Sequence, residues 1–159
     1  MALSDKIVGM HFRYPDFYEV GREKVREYAE AVKNEDRVFF DEQAAADLGY
    51  DELLAPLTFI SVFGYQAQAA FFENANIEVT DMKIVQVDQV LKFVKPIKVG
   101  DRLHCDVYVD SLRQSFGTDM IVTKNIVTNQ AGDVVQETYT TLVSRSDGEG
   151  EEGFSHAIA

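Results

Sequence analysis

From Leu53 to Phe72 the chain runs for 20 residues without a charge, LLAPLTFISVFGYQAQAAFF. That stretch limits the possible folds, because it needs an apolar environment around it. A bilayer span needs roughly 20 apolar residues, so length alone admits a membrane helix. The composition opposes it. Pro56, Thr58, Ser61, Gly64, Gln66 and Gln68 interrupt the run, and acidic Glu52 and Glu73 flank it where Lys or Arg is expected. The remaining reading is a helix buried on nearly all sides inside a soluble domain. Pro56 suits its first turn, and Asn74-Ala75-Asn76 ends it. The rest of the chain must then supply an apolar wrapper.

The flanking segments supply one. Before the uncharged run, Val25, Tyr28, Ala29 and Val32 fall at helical spacing, which predicts an amphipathic helix over 22–33. A short helix follows from about Asp41 to Leu48, with Gly49 as its left-handed stop. After the run the period changes from 3.6 to 2. Residues 82–94, 103–109, 119–128 and 134–143 read as strands, and Asn129–Asp133 as a hairpin loop. Phe17–Val20 offers a fifth strand. Helices come first and an antiparallel meander follows: an α+β domain, one curved sheet around one long helix. Gly64 would let that helix approach the sheet closely. The sheet leaves an edge strand that dimer formation would cover. Domain organisation is then 1–145 as one domain and 146–159, rich in Gly, Ser, Asp and Glu, as a flexible acidic tail.

Charge and cysteine narrow the function. A net charge of −12 opposes a nucleic-acid binder, which needs a basic stripe against phosphates. The single cysteine, Cys105, excludes an internal disulfide framework and offers no metal cluster. No secretory signal is visible at the start, so a cytoplasmic address is expected.

Two motifs carry a family resemblance. Phe93-x-Lys95-Pro96-Ile97-x-Val99-Gly100-Asp101-x-Leu103 resembles the P-x-x-x-G-D-x-L corner of MaoC-like hydratases and dehydratases, and Ala45-x-x-x-Gly49-Tyr50 with Leu54-Ala55-Pro56-Leu57-Thr58-Phe59 is similar to that family's approach to its central helix. The match runs from about residue 8 to 143. The segments MALS, RYPD, APLTFI, FGY, IVQVDQVLKF and IVTKNIVTN are similar to the A-subunit (HadA) type of actinobacterial (3R)-hydroxyacyl-ACP dehydratases. The resemblance implies a hot-dog fold. It also implies a hydro-lyase acting on acyl-ACP in type II fatty-acid and mycolic-acid elongation, with no cofactor or metal, and a heterodimer with a sister hot-dog subunit of HadB type.

One departure matters. Active members carry an Asp, then four residues, then a His, in a G-D-x-N-P-x-H-x-D loop. Syn elimination of water from a 3-hydroxyacyl thioester needs a base at C2 and an acid at the C3 hydroxyl, and such a pair supplies both. On this loop the chain places Asn34 at the Asp position and Phe39 at the His position. Neither an amide nor a benzene ring shuttles protons at neutral pH. The resemblance thus implies a subunit with no catalytic residue, which holds the acyl chain for a competent neighbour. Phe59, Phe63, Tyr65 and Ser61 on the central helix, with Gln86, Gln89 and Asn125 on strands, are the expected substrate-binding residues. For the aromatics, plain core packing is the alternative. For the polar residues it is an ordinary core hydrogen-bond network. Lys92, Lys95, Lys98 and Arg102 form a basic cluster that is either a carrier-protein contact or a solvated strand end. Two other functions stay open: a self-sufficient hydratase or thioesterase using Asp36, Asp41 or Glu42, and a non-enzymatic acyl-thioester binder.

Overall fold

The structure is a computed structural model that describes residues 7–75, 84–115 and 118–145. The expected acidic tail, 146–159, lies outside those residues. Strands β1 (His11–Arg13) and β2 (Tyr18–Glu19) come first, then helices α1 (Arg22–Ala31), α2 (Glu42–Asp47) and α3 (Ile60–Asn74). Four long strands follow: β3 (Ile84–Phe93), β4 (Arg102–Ser115), β5 (Thr118–Thr128) and β6 (Val134–Arg145). The sheet is antiparallel in the order β1-β4-β5-β6-β3, with β2 paired to β4 as well. This is the expected α+β hot-dog architecture. No helix among the described residues is long and apolar enough to cross a membrane.

Local chemistry sets the element ends. The Asp41 carboxylate accepts from the Gln43 amide at 2.9 Å and starts α2. Gly49 stops α2 at φ +88°. A 3-10 turn over Leu57–Phe59 precedes α3. In the corner motif Gly100 also takes φ +88°, and the buried Asp101 side chain accepts from the Lys98 amide at 3.0 Å and from Gln130 Nε2 at 3.3 Å. Gln130 in turn accepts from the Arg102 amide at 3.0 Å, which ties the corner to the Asn129–Asp133 hairpin loop.

The core lies between α3 and the inner face of the sheet. Phe59 and Phe63 on the helix side meet Tyr18, Tyr28 and Tyr14, with ring centroids 5.4–6.1 Å apart. Phe71 lies 6.2 Å from Phe12 and 5.4 Å from Phe72. Leu103, Cys105, Val107 and Val109 of β4 close the core from below.

α3 is not buried on nearly all sides, as the uncharged run suggested. Ile60, Phe63, Ala67 and Phe71 form a buried stripe at helical spacing, whereas Ser61, Tyr65, Gln66 and Ala69 are exposed. Absence of charge marked a face without ions, not a face without solvent. Nor does Gly64 mark a tight approach. A Cβ there would meet Asn125 Nδ2 at 3.7 Å, which is ordinary van der Waals contact.

Three bulges shape the sheet, at Gln86/Asp88, Val109/Ser111 and Val127/Thr128. Each adds twist and shifts which residues face the helix. The resulting inner rows run Cys105–Val127–Gln136–Phe93, Val107–Asn125–Thr138–Leu91 and Val109–Thr123–Thr140–Gln89. They are apolar on β4, whereas Thr123, Asn125, Gln136, Thr138, Thr140 and Gln89 bring polar side chains onto β5, β6 and β3 beside apolar Val127, Leu91 and Phe93.

Candidate functional site

The loop over 33–41, matched in sequence to the family's acid–base loop, follows α1. Lys33 adopts φ +56°, and Asn34 is exposed, its side-chain oxygen accepting from the Asp36 amide at 3.3 Å. Asp36 caps the next turn by accepting from the Val38 amide at 3.2 Å. That turn buries Val38 and Phe39. Phe39 forms part of the wall of a cavity of about 410 Å³.

The three nearby acids already have structural partners. Asp36 and Asp41 are caps, and Asp41 also pairs with Arg37, which holds its carboxyl below the usual range. Arg22 does the same for Glu42. A carboxylate stabilised in its charged form is a weak proton acceptor.

One imidazole–carboxylate couple does exist, and sequence spacing did not reveal it. His11 lies in β1, and its Nε2 is 2.6 Å from Asp106 Oδ1. Asp106 Oδ2 accepts from Arg13 at 2.8 Å, and the His11 ring stacks on Tyr108 at 4.5 Å. Asp106 and Tyr108 alternate with the fully buried Cys105, Val107 and Val109, so this cluster occupies the sheet face turned away from α3. None of its members lines the cavity.

The expected binding residues divide into three groups. Phe59 and Phe63 are packed in the aromatic core. Tyr65, expected to be buried, is 76% exposed, and Ser61, Gln86 and Gln89 are exposed too. Asn125 is 3% exposed, and its Oδ1 makes no hydrogen bond. Strict alternation would put Gln86 and Gln89 on opposite faces of β3. The bulge beside Val87 pairs them with Leu142 and Thr140, both inner-face residues, so the two amides share the face that looks toward α3. Gln89 Nε2 reaches Thr140 Oγ1 at 3.4 Å.

Sequence reasoning missed the neighbours that make this a polar patch. Thr123, Gln136, Thr138 and Thr140 are buried beside Asn125, and Thr123 Oγ1 and Gln136 Nε2 are also unpaired. Their even spacing on β6 and odd spacing on β5 was the available signal. The basic cluster is compensated. Lys95 pairs with Asp133 at 2.7 Å, Lys98 with Asp51 and Arg102 with Glu19, while Lys92 sits over the Tyr139 ring.

Comparison with known proteins agrees with this geometry. Residues 6–138 match the family model described as FAS1-like, dehydratase domain region. UPF0336 protein ML1910 of Mycobacterium leprae is 68% identical over the whole of both chains. A chain from the crystal structure of C-terminally truncated HadBC, a (3R)-hydroxyacyl-ACP dehydratase complex of Mycobacterium tuberculosis, is 48% identical. It superposes with TM-score 0.79 over 87% of this chain and 97% of that one. A protein described as a MaoC-like dehydratase is 40% identical with TM-score 0.81, over 91% of this chain and 43% of that one. The chain belongs to the FAS1-like dehydratase family, in its MaoC-like hot-dog branch.

Proposed function

We propose that this chain is the substrate-holding, non-catalytic subunit of a two-chain (3R)-hydroxyacyl-ACP dehydratase in type II fatty-acid and mycolic-acid elongation. A sister hot-dog subunit of HadB type supplies the Asp and His. The observation that supports the reading is the loop at 34–39: at the two positions matched in sequence to the family's Asp and His, the chain has an exposed amide, Asn34, and a buried ring, Phe39.

The unpartnered surfaces support an obligate neighbour. β3 pairs only with β6 among the described strands, and Val85, Val87, Val90 and Phe93 are exposed along it, with Val94 exposed just past its end. A long edge strand with apolar side chains invites pairing. The open side of α3, with Ser61 and Tyr65, gives the second contact. Between them the acyl chain passes Gln86, Gln89 and Asn125, whose amides meet its few polar atoms or water. Phe59 and Phe63 back that wall from the core. Each buried methylene of the acyl chain contributes on the order of 0.8 kcal/mol, so wall residues set length preference without touching the reacting carbons.

The His11–Asp106 couple supports a second reading, an enzyme active by itself. The location of the couple on the outer sheet face, with Asp106 already shared with Arg13, argues against it. Co-expression with a candidate sister subunit, followed by mass measurement and an enoyl-thioester hydration assay, tests the proposal. A one-to-one complex that hydrates the thioester is expected. An active homodimer, or no association, would refute it.

A further inference from the structure

The cavity beside Phe39 has features that acyl holding along α3 does not use. It is walled by Val38, Leu54, Ala55 and Ile97, with Leu48 and Leu57 exposed at its mouth. The lining segments are tied together by the hydrogen bonds Leu54 N to Val38 O (3.1 Å) and Ala55 N to Ile97 O (2.8 Å). Its 410 Å³ falls within the roughly 300–1,000 Å³ of small-molecule pockets. None of Ser61, Tyr65, Gln86, Gln89 or Asn125 lines it.

Its polar groups differ in availability. Asp36 is occupied by the Val38 amide, and Lys95 by Asp133. Gln136 is 2% exposed, lines the cavity, and its Nε2 makes no hydrogen bond. A buried donor without a partner destabilises the free protein, and an acceptor brought by a ligand removes that cost. The walls are otherwise apolar and the rim charges are engaged, so the matching ligand is uncharged inside the pocket and mostly alkyl, with one carbonyl oxygen.

We infer that this cavity is a second, non-catalytic acyl site, which takes the carbonyl end of an alkyl thioester or ester with Gln136 Nε2 as donor to the carbonyl oxygen. Phe39 forms part of the wall that packs against the alkyl portion. The site deepens the dehydratase-subunit reading and shares Phe39 with it, but its donor, Gln136, is none of the residues that reading places along the acyl chain.

Calorimetric titration of the full chain with octanoyl-pantetheine and with its S-octyl thioether, which lacks the carbonyl, tests it. The thioester is expected to bind about tenfold more tightly, the value of one neutral hydrogen bond, and Gln136→Leu to erase the difference. Equal affinities in the parent chain, a difference that persists in Gln136→Leu, or no binding of either ligand would overturn the inference. Should Gln136→Leu fail to fold, Leu57→Trp at the exposed mouth is expected to weaken both ligands, and unchanged binding there would overturn it. A preference lost in Asn125→Leu but kept in Gln136→Leu places the carbonyl beside α3. That result refutes the second site and leaves the dehydratase-subunit reading standing.

Discussion

The two halves of the inner sheet face have the same backbone geometry and opposite chemistry. On β4 the inward residues are Leu103, Cys105, Val107 and Val109, and the α3 aromatics pack above them. On β5 and β6 they include Thr123, Asn125, Gln136, Thr138 and Thr140, equally buried, with three polar atoms left unpaired. The first half is a core. The second has the burial of a core without its hydrogen-bond satisfaction, and each orphaned group costs about 1–3 kcal/mol. The apolar half holds the fold, and under the proposal the polar half is where the acyl ligand meets hydrogen-bonding groups.

The largest expected effect is on the apolar half. Phe63→Ala removes a ring packed on Tyr14 and Tyr18, and should lower the unfolding free energy in urea by about 3–5 kcal/mol. A loss under 1 kcal/mol would mean that half is not the core.

Next is Cys105, in the same half. Burial pushes its thiol pKa up to about 12. The native state therefore keeps the proton while the unfolded thiol loses it near pH 8.5. Stability should fall as pH rises between those values, by about 1.4 kcal/mol per unit. Urea titrations at pH 8.5 and 9.5 should show a fall of about 1 kcal/mol in the parent, because the unfolded thiol is half ionised at the lower pH, and no such fall from this group in Cys105→Ala. The native thiol should also resist alkylation at pH 8. Rapid modification would mean that water reaches the apolar half.

The polar half should respond in the opposite sense. Thr123→Val and Asn125→Leu delete unpaired oxygens, so stability is expected to hold or rise by about 1 kcal/mol, while long-chain acyl binding by the assembled enzyme weakens. A loss of more than 2 kcal/mol would make these residues ordinary core groups and erase the contrast between the halves. The smallest effect belongs to Gly64→Ala on α3. The new methyl meets Asn125 in ordinary contact, and the helix gains up to about 1 kcal/mol of propensity. A measured loss would show a closer helix–sheet approach.

How much of this could be read in advance follows from the range of each signal. The four long strands and three helices declared themselves because periodicity is local. β1 was missed because three residues carry no period, whereas the strand offered at Phe17–Val20 is present as β2, shortened to Tyr18–Glu19 and paired with β4. Asn125 could be placed inward by alternation with Val127, but Gln86 and Gln89 could not be put on one face. The bulge that aligns them has no residue signature beside Val87. The His11–Asp106 pair joins positions 95 apart, across a strand pairing that no local pattern announces. The open face of α3 was misjudged because uncharged Ser61, Tyr65 and Gln66 resemble buried residues in a charge count and not in their solvation.

The claim under all of this is that the chain binds acyl groups and moves no proton. Prolonged incubation of the isolated chain with crotonyl-pantetheine, beside His11→Ala and Asp106→Asn, addresses it directly. The account expects hydration at the buffer rate in all three samples. Turnover by the parent chain that vanishes in both variants would contradict it, and would make the outer-face couple an active site.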